Sequence, residues 1–268
     1  HIGRGPGGMI EDNNQFALAL LMALPIYYYF GEAEQRLRYK VTYFMTALLN
    51  CICVLWTHSR GSLLGVCSIL FFISITWKNK LWTVLFFFIA PILFFVIAPD
   101  SLINRYATFQ EIEKDASAMS RFHSWETAFY MGLRRPFTGI GPGNMVEFYW
   151  DYAPPFQTSM KFAAHVAHNA YLQLLADCGF PALITYLFML IYTYWSMFFL
   201  RMKILKYDFL KWSIPYTYAI QYCMVGFSVS ATFLSISYFD LIFQIVAIGS
   251  CLKIFINKEI KNYKQQKL

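Results

Sequence analysis

Seven apolar runs, at about 16–30, 39–56, 63–77, 81–98, 170–200, 212–234 and 238–256, approach or reach the length needed to cross a bilayer. Hydrocarbon offers the backbone no water to bond with, so such runs must satisfy their own N–H and C=O groups as helices. The expected fold is therefore all-α, a polytopic transmembrane helical bundle. Composition agrees, with 58% hydrophobic and 14% charged residues and a mean hydropathy of +0.44. Aromatic residues such as Tyr27, Tyr28, Tyr29, Trp56, Trp77, Trp82, Trp195 and Trp212 sit where the runs end, as rings at headgroup level do.

Only one connection between the runs is long. From Pro99 to Ala167 the chain is mixed in character and contains Pro and Gly, so it must lie outside the bilayer. The chain thus divides into an N-terminal membrane part at 1–98, a catalytic loop at 99–169 and a C-terminal membrane part with a basic tail at 170–268. Lys and Arg cluster at Arg36, Arg38 and Lys40, at Lys78 and Lys80, at Arg201, Lys203, Lys206 and Lys211, and in the tail from Lys253 to Lys267. Basic short loops face the cytoplasm. Alternation then puts the His58–Ser62 turn, the long loop and the Ser235–Ser237 turn on the opposite, periplasmic side.

The net charge of +7 is spread over these short clusters and forms no continuous stripe, which argues against nucleic acid as a partner and for the lipid bilayer. The six cysteines all lie in apolar stretches without CxxC pairing, so they read as small buried hydrophobes. The polar, Gly-rich start (HIGRGPGGMIED) suggests that upstream helices are missing.

Three places in the chain carry chemistry. His168-Asn169 stands where the long loop enters an apolar run, nine residues before Gly179-Phe180-Pro181-Ala182. Imidazole titrates near neutrality, so a histidine there suits a general base on an acceptor hydroxyl. Arg60, in Thr57-His58-Ser59-Arg60-Gly61-Ser62, is a charge kept between two spans, and its planar fork fits phosphate oxygens. Arg121 opens Ser120-Arg121-Phe122-His123-Ser124-Trp125-Glu126, followed by Phe129 and Leu133 at helical spacing. The loop is therefore expected to hold short amphipathic helices with Phe122, Trp125, Phe129 and Leu133 as an apolar stripe. With Ser117 or Ser120 as cap, Arg121 falls in the first turn, where free N–H groups favour phosphate.

That helix should stop at Arg134-Arg135-Pro136, before the turn Phe137-Thr138-Gly139-Ile140-Gly141-Pro142-Gly143-Asn144, with Arg134 and Arg135 as reserve phosphate contacts. This glycine-rich turn lacks the setting of a nucleotide-binding loop. No metal or other cofactor is expected. His165 and His168 lack a third ligand, and Glu111, Glu113 and Asp115 read as a solvated charge run. His165 and Asn169 are kept as substrate-binding candidates beside His168. Asp177 reads as a local polar contact.

Taken together, Ser59-Arg60-Gly61, Ser120-Arg121 with Trp125, the Pro136–Gly141 turn, and His168-Asn169 with Gly179 resemble the O-antigen ligase and polymerase superfamily, over roughly Trp56 to Leu190. The superfamily often has Gly where Ala182 stands. The stretch Gly5–Asn14 looks like the branch of exosortase-associated O-glycosylation ligases. The resemblance implies a GT-C-like enzyme of the bacterial inner membrane, acting at its periplasmic face without a metal. The donor would be an undecaprenyl diphosphate-linked glycan and the acceptor a lipid A-core, a protein or another glycan. It further implies that Arg60 and Arg121 bind the diphosphate and that His168 is the base. The alternatives are a polymerase of the same superfamily and a lipid-linked glycan transporter; the scarcity of charge inside the spans speaks against a transporter.

Overall fold

A computed structural model describes residues 12–57, 59–77, 116–158 and 163–267. In chain order its helices are α1 (Asn13–Ala33), α2 (Leu37–Trp56), α3 (Arg60–Thr76), α4 (Ala116–Arg134), α5 (Tyr149–Tyr152), α6 (Pro155–Thr158), α7 (Ala170–Ile204), a 3-10 turn (Asp208–Ser213), α8 (Ile214–Ala231) and α9 (Asp240–Gln266). No strand occurs among the described residues. Four helices, α1, α2, α7 and α9, are long and apolar enough to cross a membrane, and Gly61–Thr76 in α3 is a shorter apolar stretch. The protein is an all-α polytopic membrane protein, as hydropathy predicts. The run expected at 81–98 lies outside the described residues.

The boundaries follow from caps. The Asp12 carboxylate accepts the Asn14 N–H at 2.8 Å and starts α1. Ser59 does the same for α3, with its Oγ 3.4 Å from the Ser62 N–H and its carbonyl bonded to Leu63. Arg60, expected in a turn, is thus the first residue of a helix. At the other end of the chain α9 runs on to Gln266, because its basic tail continues the helix past the apolar stretch.

Two compact units emerge. The first contains the described residues of His1–Ile69, Thr185–Ser230 and Tyr238–Leu268. Its core joins α1, α3 and α8 through small residues: a Cβ on Gly65 would collide with the Ser230 hydroxyl, and one on Gly226 with Ile69. Membrane helices lack a hydrophobic drive to associate, so close backbone approach must supply dispersion contacts instead. Ser230 Oγ reinforces the approach by donating to the Gly61 carbonyl at 3.2 Å. Near the basic end, Tyr29 stacks on Tyr218 with centroids 5.3 Å apart, and the buried Arg201 guanidinium lies 3.7 Å from the Tyr218 ring centroid. Arg201 also donates to Thr217 Oγ1 at 3.4 Å. Beyond α7, the Lys211 ammonium hydrogen-bonds the exposed Asp208 carboxylate and holds its pKa below the usual range.

The second unit contains the described residues of Leu70–Ile184 and Ala231–Ser237. Ala128, Met131, Met145, Tyr149, Ala167 and Ala176 form its core, with Trp125, Ile140 and Leu172 packed around them. Gln157 is its polar hub. Buried to 1% exposure, it donates to Glu126 Oε2 at 3.0 Å and accepts from Thr127 and Tyr149 at 3.3 and 3.2 Å. One expectation about α4 is corrected here. The helix starts at Ala116, so Arg121 lies in its second turn, where the backbone N–H groups already bond within the helix. Of the expected stripe, Trp125 packs against the core while Phe122, Phe129 and Leu133 are about half exposed, and the face turned inward carries His123, Ser124, Thr127, Ala128 and Met131. Gly132 decides this orientation, because a Cβ there would overlap Leu175 and the small face is the one that fits against α7.

Candidate functional site

His168 has a backbone unlike any other described residue that carries a Cβ. Its φ is +47°, and among the described residues it is the one non-glycine with positive φ. Left-handed backbone costs an L-residue on the order of 1 kcal/mol, so neighbours must hold it. Asn169 fixes the downstream side: buried, it caps α7 by accepting the Tyr171 and Leu172 N–H groups on Oδ1 at 3.0 and 3.1 Å. The turn between α8 and α9 supplies the rest. Ser235 Oγ accepts the His168 N–H at 2.9 Å, and Ser237 Oγ donates to the Ala170 carbonyl at 2.6 Å and lies 3.5 Å from Gln173 Oε1. The imidazole is therefore presented from a clamped, half-buried position at the mouth of a membrane helix.

A second clamp lies about two and a half turns further along α7. The helix breaks at Gly179, whose φ of 78° and ψ of −176° belong to a region open to glycine alone. The break exposes backbone groups, and the Pro136–Gly141 turn takes them up. Ile140 donates to the Ala176 carbonyl at 2.8 Å, Gly141 to the Asp177 carbonyl at 3.0 Å, and Phe180 to the Pro136 carbonyl at 2.7 Å. Side chains are excluded on both sides, since a Cβ on Gly139 would strike the Asp177 backbone and one on Gly179 the Pro136 carbonyl. The glycine-rich turn is thus a strap that joins the end of α4 to the broken start of α7. Asp177, buried to 1% exposure, belongs to this strap.

The remaining candidates are distributed as follows. Arg121, half-buried, shares its unit with His168, as do Arg134, Arg135, His165 and Asn169; Arg60 belongs to the other unit. Arg134 is exposed, donates to the Asp151 carbonyl at 3.0 Å and lies 5.5 Å from the Tyr152 ring centroid. Arg135 and His165 are exposed. The Trp125 Nε1–H is buried and has no partner among the described residues, while its ring packs 6.5 Å from that of Phe233. A buried donor left open calls for an acceptor atom. Glu111, Glu113 and Asp115 lie outside the described residues, and no group of three potential metal ligands occurs among the described ones.

Sequence reasoning missed Ser235, Ser237 and Gln157. The one available signal for the serines was a Ser-x-Ser turn between two apolar runs on the same expected side as His168. Gln157 gave none, because Glu126 and Thr127, two of its partners, lie about thirty residues upstream.

The helices and their apolar lengths define a polytopic membrane protein, and the comparisons specify its kind. The O-antigen ligase family matches at residues 45–187, just over half of the chain and including Arg60, Arg121, His168 and Gly179. The chain belongs to the O-antigen ligase family. A comparison with curated proteins returned no match.

Proposed function

We propose that this protein is a glycosyltransferase of the O-antigen ligase type that moves a glycan from undecaprenyl diphosphate to an acceptor hydroxyl at the periplasmic face of the inner membrane. The observation that carries the reading is the clamped backbone of His168, a strained position inside the family-matched stretch. Strain maintained by two hydrogen-bonded serines is more easily understood as positioning of an imidazole than as a packing need.

The reaction is a single displacement. His168 accepts the proton of the acceptor hydroxyl as its oxygen forms a bond to the anomeric carbon. The bond from that carbon to the diphosphate oxygen breaks, its electron pair leaves with the diphosphate, and the anomeric centre inverts. Arg60 and Arg121 stabilise the charge that builds on the leaving group. Arg60, at the first position of α3, is joined there by free N–H groups of a helix start, which favour an anion further. The Trp125 indole supplies a donor for a sugar or phosphate oxygen, with Arg134, Arg135, His165 and Asn169 as secondary substrate contacts. The donor is already activated, so the step needs neither nucleotide nor metal. The acceptor is a lipid A-core, a protein or another glycan.

The test is transfer from purified undecaprenyl diphosphate-linked glycan by wild type, His168→Asn, Arg60→Ala and Arg121→Ala. Asn keeps the left-handed backbone accessible, so the expected loss in His168→Asn, about 100-fold or more, reports the lost base. Near-normal turnover in that variant would remove His168 from the chemistry. Incubation without any separate acceptor separates the ligase from a polymerase, which would extend the donor into a ladder.

A further inference from the structure

A cleft of about 260 Å³ opens between α7 and α9 within the first unit, lined by Tyr192, Thr193, Ser196, Lys253 and Asn257 and floored by Gly249. A Cβ on Gly249 would stand only in ordinary contact with Ile220, Met197 and Thr193, so a missing side chain, and not a tight helix crossing, makes the floor. Two ammonium groups mark the cleft. Lys253 Nζ donates to the Tyr192 hydroxyl at 2.8 Å and lies 4.8 Å from that ring's centroid, and Lys203 Nζ reaches Asn257 Oδ1 at 3.3 Å. Neither has a carboxylate partner among the described residues. The Ser196 hydroxyl makes no hydrogen bond among them either.

The surroundings say what kind of anion fits. Phe188, Ile191, Trp195 and Ile254 flank the cleft with 64%, 57%, 48% and 68% exposure, on helices that span a membrane. Lys253 lies roughly 20 Å along α9 from Asp240 at about 1.5 Å per residue, toward the basic end of a helix that has to cross a hydrocarbon layer about 30 Å thick. An ammonium at that depth either snorkels to the surface or meets an anion brought to it. Here it folds back onto Tyr192, at the rim of the polar cleft. We propose that this cleft binds the phosphate of an anionic phospholipid in the leaflet at the basic end of α9, with Lys253 and Lys203 as charge partners, Ser196 as donor and the exposed apolar side chains against the acyl chains. The site is separate from the transfer chemistry and stands or falls without it.

The experiment offers the purified protein equimolar phosphatidylglycerol and phosphatidylcholine in detergent and counts retained lipids by native mass spectrometry, with glycerol phosphate as a competing soluble arm. Wild type is expected to prefer phosphatidylglycerol roughly thirtyfold, as about one kcal/mol for each of the two ammonium groups implies. Lys253→Met and Lys203→Met should each erase most of that preference, and Lys258→Met, in the exposed tail, should preserve it. Displacement of the lipid by glycerol phosphate assigns the site to phosphate from any source; resistance to it assigns the site to the lipid. Equal retention of the two lipids by wild type overturns the proposal without reference to any variant, as does an unchanged preference in a folded Lys253→Met protein.

Discussion

At the scale of single residues the informative quantity is backbone conformation. His168 occupies left-handed space at a cost of about 1 kcal/mol, and the Ser235 hydroxyl accepts the N–H of that same residue, just ahead of α7. Ser235→Ala should therefore leave the fold intact and lower kcat roughly 10-fold, the size of effect expected from losing about 1.4 kcal/mol of positioning. Ser235→Thr, which keeps the oxygen, should restore most of the loss; a merely structural serine would give the same stability change without that rescue pattern in kcat. Arg201 makes a different case. Its guanidinium is buried to 7% exposure over Tyr218, with one long hydrogen bond to Thr217, and its work is done by the ring. Arg201→Lys replaces a planar cation by a point charge and should cost about 1–2 kcal/mol in reversible unfolding from detergent. A neutral result would place the aromatic cluster outside the stabilising core.

At the scale of elements the strap between the Pro136–Gly141 turn and the broken start of α7 holds the second unit's geometry. Gly179→Ala forces a Cβ into the Pro136 carbonyl and a side chain into glycine-only backbone, so it should cost on the order of 3 kcal/mol. Gly139→Ala attacks the same contact from the other side, and the double variant should be clearly less destabilised than the sum of the two, because each already breaks the strap. Thermal unfolding of the three purified variants checks this; additive losses would mean two independent defects. Part of this was legible from sequence. The Pro and Gly punctuation predicted the end of α4 and the need for close backbone approach, since both follow from local sterics. What the turn approaches was not legible, because its partner backbone lies about forty residues on, and Gly179-Phe180-Pro181, though plain in the chain, does not say which turn it meets. Arg60 and Arg121 illustrate the same divide. Their presence is plain in the chain, yet their places in helix turns depended on which serine caps, or whether the helix begins before any serine, and tertiary packing decided that. The apolar stripe of α4 did not say which face turns inward for a related reason: near a membrane, large hydrophobic side chains need not point inward, and Gly132 against Leu175 selected the small face.

At the scale of the molecule, orientation in the membrane decides whether the proposed chemistry has access to its substrates. The basic residues of Arg36–Lys40, Lys203–Lys211 and the α9 tail lie at helix ends that alternate with the ends carrying His168 and the Ser235–Ser237 turn along the chain. The positive-inside rule predicts that the basic ends lie in the cytoplasm and His168 outside it. Two cysteine reporters test this in a background whose six free cysteines have been replaced by alanine. Phe137, 79% exposed in the strap, should become a cysteine that a membrane-impermeant maleimide labels in cells with only the outer membrane opened. Lys264, exposed in the last turn of α9, should become one that the same reagent reaches only after the inner membrane is permeabilised. The reverse pattern would put the imidazole on the cytoplasmic side, beside nucleotide-activated sugars instead of the glycan-loaded lipid, and the transfer reaction proposed for His168 would lose its donor.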